Sequence, residues 1–317
     1  VEMVKIADFI SPGNDGKKRL EWNGILNFLR STKYNQIKAL TGDDILFSLG
    51  GFDFINPDGL IWLLLIGDEF KSKKNSLWLE FPRDNRQLEY FKLSKFYRVA
   101  SEIFSITNLF YLDEIREIPS KRGIEFFKVS LESLGTLMRE LNLFLTLDFA
   151  KKVDISQYGE IVFEHLPLFL RVIIETSKNI VQHSRERENM GWGYFMMSQV
   201  RNDLLRFCIV DAGRGYSSSL KTKGIKTKDD FDAIYHALLF RYYEREGEGL
   251  FRVVQFISQL NGIIRIRSGR NEVFLDTSKN ILSGDEETKN FIQQNLRKGK
   301  SDFYFPGVQI QIDVKRQ

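Results

Sequence analysis

Apolar side chains in the first hundred residues fall into short runs separated by mixed segments. Residues 44–49 (DILFSL) and 76–81 (SLWLEF) have the length of strands, and 57–70 (PDGLIWLLLIGDEF) reads as a helix opened by Pro57. Another helix is expected over 85–97, and Pro119 and Gly123 in IPSKRG mark a break. From 124 to 150, IEFFKVSLESLGTLMRELNLFLTLDFA carries apolar residues three and four apart, which predicts a long amphipathic connecting helix. A second apolar helix is expected over 160–184, then a strand over 204–210 (LLRFCIV) ending on Asp211. Residues 216–247 mix Ser, Lys and Gly with a short helical patch (FDAIYHALLFRYY), and Gly249 to Leu260 read as a helix capped by Asn261-Gly262. A hairpin around Gly269-Arg270 is expected from 263–268 and 271–276. The stretch 277–304 reads as an insertion before GVQIQIDVK, whose alternation is that of a half-buried strand.

At 317 residues the chain exceeds the ~250 to 300 at which one hydrophobic core stops growing. The pattern therefore divides into a small α/β domain over 1–118, a connecting helix over 119–159 and a second α/β domain over 160–317. A hydrophobic content of 43% with 28% charged residues excludes a disordered chain. The net charge of +4 is spread in short mixed runs, so electrostatics give no reason to expect nucleic acid. The single cysteine, Cys208, lies in an apolar strand and has no intrachain disulfide partner, which suits a reducing compartment. The longest aliphatic run, Leu60 to Ile66, is far short of the ~20 residues of a membrane helix. With no basic region and apolar core at the amino terminus, a cytoplasmic protein is expected.

Three segments carry candidate chemistry. On the helix 160–184, Glu175, Asn179 and His183 recur every four residues and so share one stripe of its surface. Such a stripe can simply face water. It can also place an amide oxygen on Mg²⁺ beside a triphosphate, with a carboxylate one turn earlier to orient or deprotonate an attacking group. Asp211-Ala212-Gly213-Arg214-Gly215 follows a buried strand, where a carboxylate can accept from an adenine amino group and glycines let a backbone approach a nucleotide. Gly247-Glu248-Gly249-Leu250 stands at a helix start, where free amides and the helix dipole receive phosphate oxygens.

In order and separation these segments resemble the GHKL ATPase superfamily: an asparagine box (Glu175, Asn179, His183), a first glycine box (211–215), a variable lid (216–246) and a second glycine box (247–250). The resemblance covers roughly the last half of the chain and is closest in motif to anti-sigma-factor serine kinases. It implies a Bergerat α/β sandwich with a mixed sheet and helices on one face, and ATP and Mg²⁺ as cofactors. Asn179 would hold the metal, Asp211 would read adenine, and Glu175 would act as catalytic base. His183, Gly213, Gly215, Gly247, Gly249 and Leu250 would shape the nucleotide and phosphate sites. The family usually has a Thr after the glycine that opens its last strand, where this chain has Val308. Four lysines, Lys221, Lys223, Lys226 and Lys228, crowd the lid, within reach of a γ-phosphate or simply solvated.

The amino-terminal part, in FSLGGFDFINPDGLIWLLL, resembles STAS domains, the fold of anti-sigma-factor antagonists. At the phosphoacceptor position of those proteins stands Asp58, a fixed negative charge near a helix start and a regulatory candidate. Together the two resemblances imply an ATP-dependent signalling switch or serine kinase-like regulator acting on a protein partner, itself STAS-like or sigma-factor-like, and the apolar stretch 124–150 suits a homodimer. A nucleotide-binding interaction module without turnover, or a degenerate sensor histidine kinase, are the alternatives; His165, only ten residues before Glu175 and without a dimerisation helix hairpin of its own, reads as a packed or half-exposed histidine rather than a phosphoacceptor. Gly67-Asp68-Glu69-Phe70 shares letters with the diguanylate cyclase signature but ends an apolar helix. Three histidines without a cysteine pair do not make a metal cluster.

Overall fold

The computed structural model describes residues 2–12, 14–20, 22–84, 87–88, 91, 94, 96–107, 124–130, 135, 139, 170–179, 192–201, 204–211, 213–244 and 249–315. The protein is a mixed α/β chain with two compact units, one formed by 1–120 with 124–127 and the other by 121–123 with 128–317. No helix among the described residues is long and apolar enough to cross a membrane.

The first unit contains β1 (Glu2–Lys5), β2 (Arg19–Leu20), α1 (Trp22–Arg30), α2 (Thr32–Lys38), β3 (Asp44–Ser48), β4 (Phe54–Ile55), α3 (Pro57–Ser72), β5 (Ser76–Glu80), α4 (Phe96–Ala100) and β6 (Ser105–Ile106). Its main sheet runs β1-β3-β5-β6 with every pair parallel. Alternation decides which face is covered: Val4, Ile45, Phe47, Leu77 and Leu79 are buried, whereas the rung Met3–Leu46–Trp78 points the other way, with Met3 63% and Trp78 39% exposed. All-parallel sheets are ordinarily covered on both faces, so this rung is unusual. Pro57 opens α3 with its φ preset, and Gly59 is needed there because a Cβ would sit 2.7 Å from the Leu20 carbonyl oxygen. Gly67 is a packing glycine, since a Cβ would lie 2.3 Å from Phe104 Cζ. That contact accounts for the glycine of the Gly67-Asp68-Glu69-Phe70 run without any cyclase chemistry.

β7 (Ile124–Ser130) has residues 124–127 in the first unit and 128–130 in the second; the second unit further contains α5 (170–179), β8 (Trp192–Arg201), β9 (Leu204–Asp211), α6 (Gly215–Thr222), α7 (Asp230–Glu244), α8 (Gly249–Gln259), β10 (Gly262–Asp276), α9 (Asp285–Asn295) and β11 (Arg297–Lys315). Its sheet runs β10-β11-β9-β8-β7, and β8 through β11 pair antiparallel. One face carries Phe195, Ile209, Ile266 and Ile310, all nearly inaccessible. α6 and α8 lie on this face, the former through Tyr216 N donating to Ser268 Oγ at 3.1 Å, the latter through Ile257, which the Cβ missing from Gly262 would strike. α8 buries Leu250, Phe251, Val253, Val254, Phe256 and Ile257, each worth about 1.5 to 3 kcal/mol of transfer free energy. It ends where Asn261 takes a positive φ of 52°, as the expected cap requires.

Several expectations are corrected. Over 124–130 the connecting helix is replaced by β7, because Ile, Phe, Phe and Val fit a pleated surface and edge a sheet that supplies partners. Residues 263–276 are one continuous strand rather than a hairpin: both halves pair with β11, and Gly269 marks a bulge. Asp230 of α7 fills that bulge and accepts from Arg270 N at 2.8 Å, leaving no room for a Cβ at Gly269 (φ 60°). The stretch 277–304 is integral, since Thr288 Oγ1 accepts from buried Gln255 Nε2 of α8 at 3.0 Å. GVQIQIDVK is a strand, but its polar positions are buried too: Gln309 is 1% exposed and accepts from Arg267 Nη1 at 2.8 Å. The short helical patch within 216–247 is a fifteen-residue helix, α7, preceded by α6.

Candidate functional site

The last rung of the β9-β11-β10 region sets the site. Asp211 ends β9 and pairs with Val308, which pairs in turn with Ser268, so the three side chains share the face occupied by α6. Asp211 is 3% exposed, and its Oδ1 accepts from Gly213 N at 2.7 Å. That short bond from the glycine box fixes the turn leaving the strand. Gly215 then opens α6 at φ 68°, a conformation that disfavours any residue with a Cβ. The hydroxyl that Val308 lacks is offered on this rung by Ser268, but Tyr216 N already donates to it.

Tyr216 lies against this rung. Burial, and secondarily the Asp211 charge, push its phenol well above the usual range. Its hydroxyl is inaccessible and has no hydrogen-bond partner among the described residues, and the same holds for Arg214 Nε and for Asn179 Nδ2 on α5. An unsatisfied buried polar group costs about 1 to 3 kcal/mol, so native proteins keep few of them and those few attract a functional explanation. Ser177 Oγ, also on α5, is in the same condition. Arg267 Nε lacks an aligned hydrogen bond, but it is an ion-pair partner of Glu272 at 3.0 Å and is no orphan charge.

On α5, Val172, Ile173, Thr176 and Ser177 face inward and Arg171 and Lys178 face out, leaving Glu175 and Asn179 at the margin. The Glu175 carboxylate, 12% exposed, accepts from Lys178 Nζ at 2.9 Å. Gly249 begins α8 at φ 47° with nothing within 4 Å of where a Cβ would stand. The first turn of α8 carries no acidic residue, and Leu250 is buried behind it. His183 and Gly247 lie outside the described residues, as does His165. Of the lid lysines, Lys223 stands 4.2 Å over the Phe240 ring. In the first unit Asp58 is 8% exposed in the first turn of α3. No group of His, Cys, Asp and Glu that could hold a metal by itself occurs among the described residues. An Mg²⁺ carried by a nucleotide needs no such group, because phosphates and water supply most of its oxygens.

The residues that sequence reasoning missed here are Tyr216, Arg214 and Ser268. Arg214 lies inside the first glycine box and Tyr216 directly follows it, but the burial of their polar atoms without partners among the described residues is a tertiary property. No protein-family model matches the chain, and no curated protein matches its sequence.

Proposed function

We propose that the second unit is a GHKL-type site for Mg-ATP and that the protein is an ATP-dependent regulator acting on another protein. The observation that carries this reading is a set of buried polar atoms without partners among the described residues, Asn179 Nδ2, Arg214 Nε and Tyr216 Oη, in or next to two of the three motif segments. Asp211 is buried at the strand end, where adenine recognition requires an acceptor, and Gly249 leaves open space at the start of α8. In this reading Asn179 turns its amide oxygen to Mg²⁺, Gly249 and Leu250 offer backbone amides to phosphate, and Glu175 acts as base toward a hydroxyl or water. The metal would supply charge neutralisation at the phosphates, and the chain would supply position. The exposed rung Met3–Leu46–Trp78 supports a protein partner docking on the first unit, and Asp58 would be a constant charge rather than a phosphoacceptor. A cytoplasmic setting and a homodimer fit the same reading.

A second reading, binding without turnover, draws on the Glu175–Lys178 ion pair, which engages one carboxylate oxygen of the proposed base. Calorimetric titration with Mg-ATP and Mg-GTP, together with γ-labelled ATP, tests both. Mg-ATP should bind more tightly than Mg-GTP, because guanine places a carbonyl where adenine has its amino donor. Asn179→Ala should abolish Mg²⁺-dependent binding, whereas Glu175→Gln should keep binding and lose any hydrolysis or transfer. Absence of Mg-ATP binding by the wild type, or equal affinity for GTP, would sink the assignment. Binding with neither free phosphate nor labelled protein selects the second reading.

A further inference from the structure

The main sheet of the first unit adds its strands in chain order, β1-β3-β5-β6, with every pair parallel. Right-handed crossovers that always step the same way set the connecting helices on one face. The rings agree: Tyr34 of α2 meets Phe70 of α3, and Phe70 meets Phe47 of β3, at 6.0 and 5.9 Å between centroids. The opposite face presents two successive rungs, Met3–Leu46–Trp78 and Lys5–Ser48–Glu80. Met3, Lys5 and Trp78 are exposed there, with Ser105 of β6 beside Trp78. Large apolar side chains on an uncovered face of a parallel sheet mark a surface that another surface covers.

We propose that this face is covered by the same face of a second copy of the chain, packed about a twofold axis that runs along β3. That rotation keeps each rung at its height and exchanges β1 with β5. Met3 then meets Trp78 of the second copy, Leu46 meets its own counterpart, and Lys5 meets Glu80 in both directions. The charges select a copy of this chain as the occupant: the Lys5–Ser48–Glu80 rung is positive at one end and negative at the other, so it is its own complement under this rotation. Packed sheets stand about 10 Å apart, a gap that a lysine and a glutamate close between them. Neither is tied down. Lys5 reaches Asp8 only at 4.0 Å, between side chains 49% and 61% exposed, and Ser48 Oγ donates to Glu80 Oε2 at 2.7 Å, leaving Oε1 for a cation. Exposed Asp44, on the same face of β3, stands on the axis against its own counterpart and is the one like-charge contact of the arrangement. The proposal names the protein that docks on the exposed rung and does not depend on a nucleotide site.

Sedimentation equilibrium of the full chain measures the dimer, and circular dichroism melts check that each variant is folded. Wild type should dimerise, and Met3→Glu, at a side chain 63% exposed, should weaken the dimer about 10-fold or more. Lys5→Glu and Glu80→Lys each place two like-charge pairs in the interface and should weaken it by roughly 10-fold, whereas an equimolar mixture of the two should associate near the wild-type level as a heterodimer. Should Glu80→Lys fail to fold, Glu80→Gln keeps an acceptor for Ser48, and adding it to Lys5→Glu should regain part of the lost association. Asp44→Asn should tighten the dimer about 2- to 5-fold. A monomeric wild type, a dimer indifferent to Met3→Glu, or charge variants that do not complement each other would each overturn the proposal. Calorimetry of Met3→Glu with Mg-ATP keeps the nucleotide reading separate, since its binding should match that of wild type whether or not the dimer forms.

Discussion

Replacing Asp211 should produce two effects that separate in one experiment. The first is structural: Oδ1 accepts from Gly213 N at 2.7 Å, so Asp211→Ala strands a part-buried amide and should cost about 1 to 3 kcal/mol in the ligand-free protein. At ~2 to 4 °C per kcal/mol for a unit of this size, the midpoint falls by about 2 to 12 °C. The second effect concerns the ligand. Mg-ATP at ~100 times its dissociation constant adds about 2.7 kcal/mol to the native state, a rise of roughly 5 to 10 °C, and Asp211→Ala should remove most of it. Asp211→Asn separates the two roles, because an amide offers one oxygen where the carboxylate offers two. Held to Gly213 N through that oxygen it recovers the ligand-free midpoint, and its NH2 group then stands as a donor where the second carboxylate oxygen would meet the adenine amino donor, so the shift stays reduced. Differential scanning fluorimetry of the three proteins with and without Mg-ATP reads each ligand-free midpoint and each shift. An Asn variant that matches wild type in both midpoint and shift, or an Ala variant with a full shift, would refute the assignment of Asp211 to both tasks.

Three other predictions rest on packing and charge. Arg267, 6% exposed at its side chain and paired with Glu272, has burial pushing its guanidinium down and Glu272 pushing it back up. Glu272→Ala should therefore cost about 3 to 5 kcal/mol in denaturant titrations, and Glu272→Gln, which keeps an acceptor for the guanidinium, should cost less. Gly67→Ala gains about 1 kcal/mol of helix propensity but forces a Cβ against Phe104 and Ile103, so a net loss of up to about 2 kcal/mol is expected; a more stable variant would contradict the packing. Asp15, hydrogen-bonded by Arg19, has its carboxyl lowered from 3.8 to about 2. Its contribution to stability is present above the unfolded value and fades as pH falls through about 2. An NMR titration of Arg19→Ala should return the midpoint toward 3.8.

Local pattern determined the elements whose neighbours agree with it. The helix opened by Pro57, the strands around Phe47 and Trp78, the strand running into Asp211 and the α8 helix ending at Asn261 all follow from apolar spacing and end chemistry within a few residues. The place of Asp211 at a strand end was legible as well, because the apolar run LLRFCIV leads directly into it, whereas the positive φ of Gly215 and Gly249 came only with the structure. Tertiary structure decided the rest. IEFFKVS scans as either period and became a strand because a sheet edge was available to it. Ser268, 57 residues from Asp211 and 40 from Val308 in the chain, reached the Asp211 rung only through the register of β10 on β11 on β9. The inaccessible hydroxyl of Tyr216 is likewise a tertiary property, since burial without a partner among the described residues depends on what surrounds a residue and not on its place in the chain.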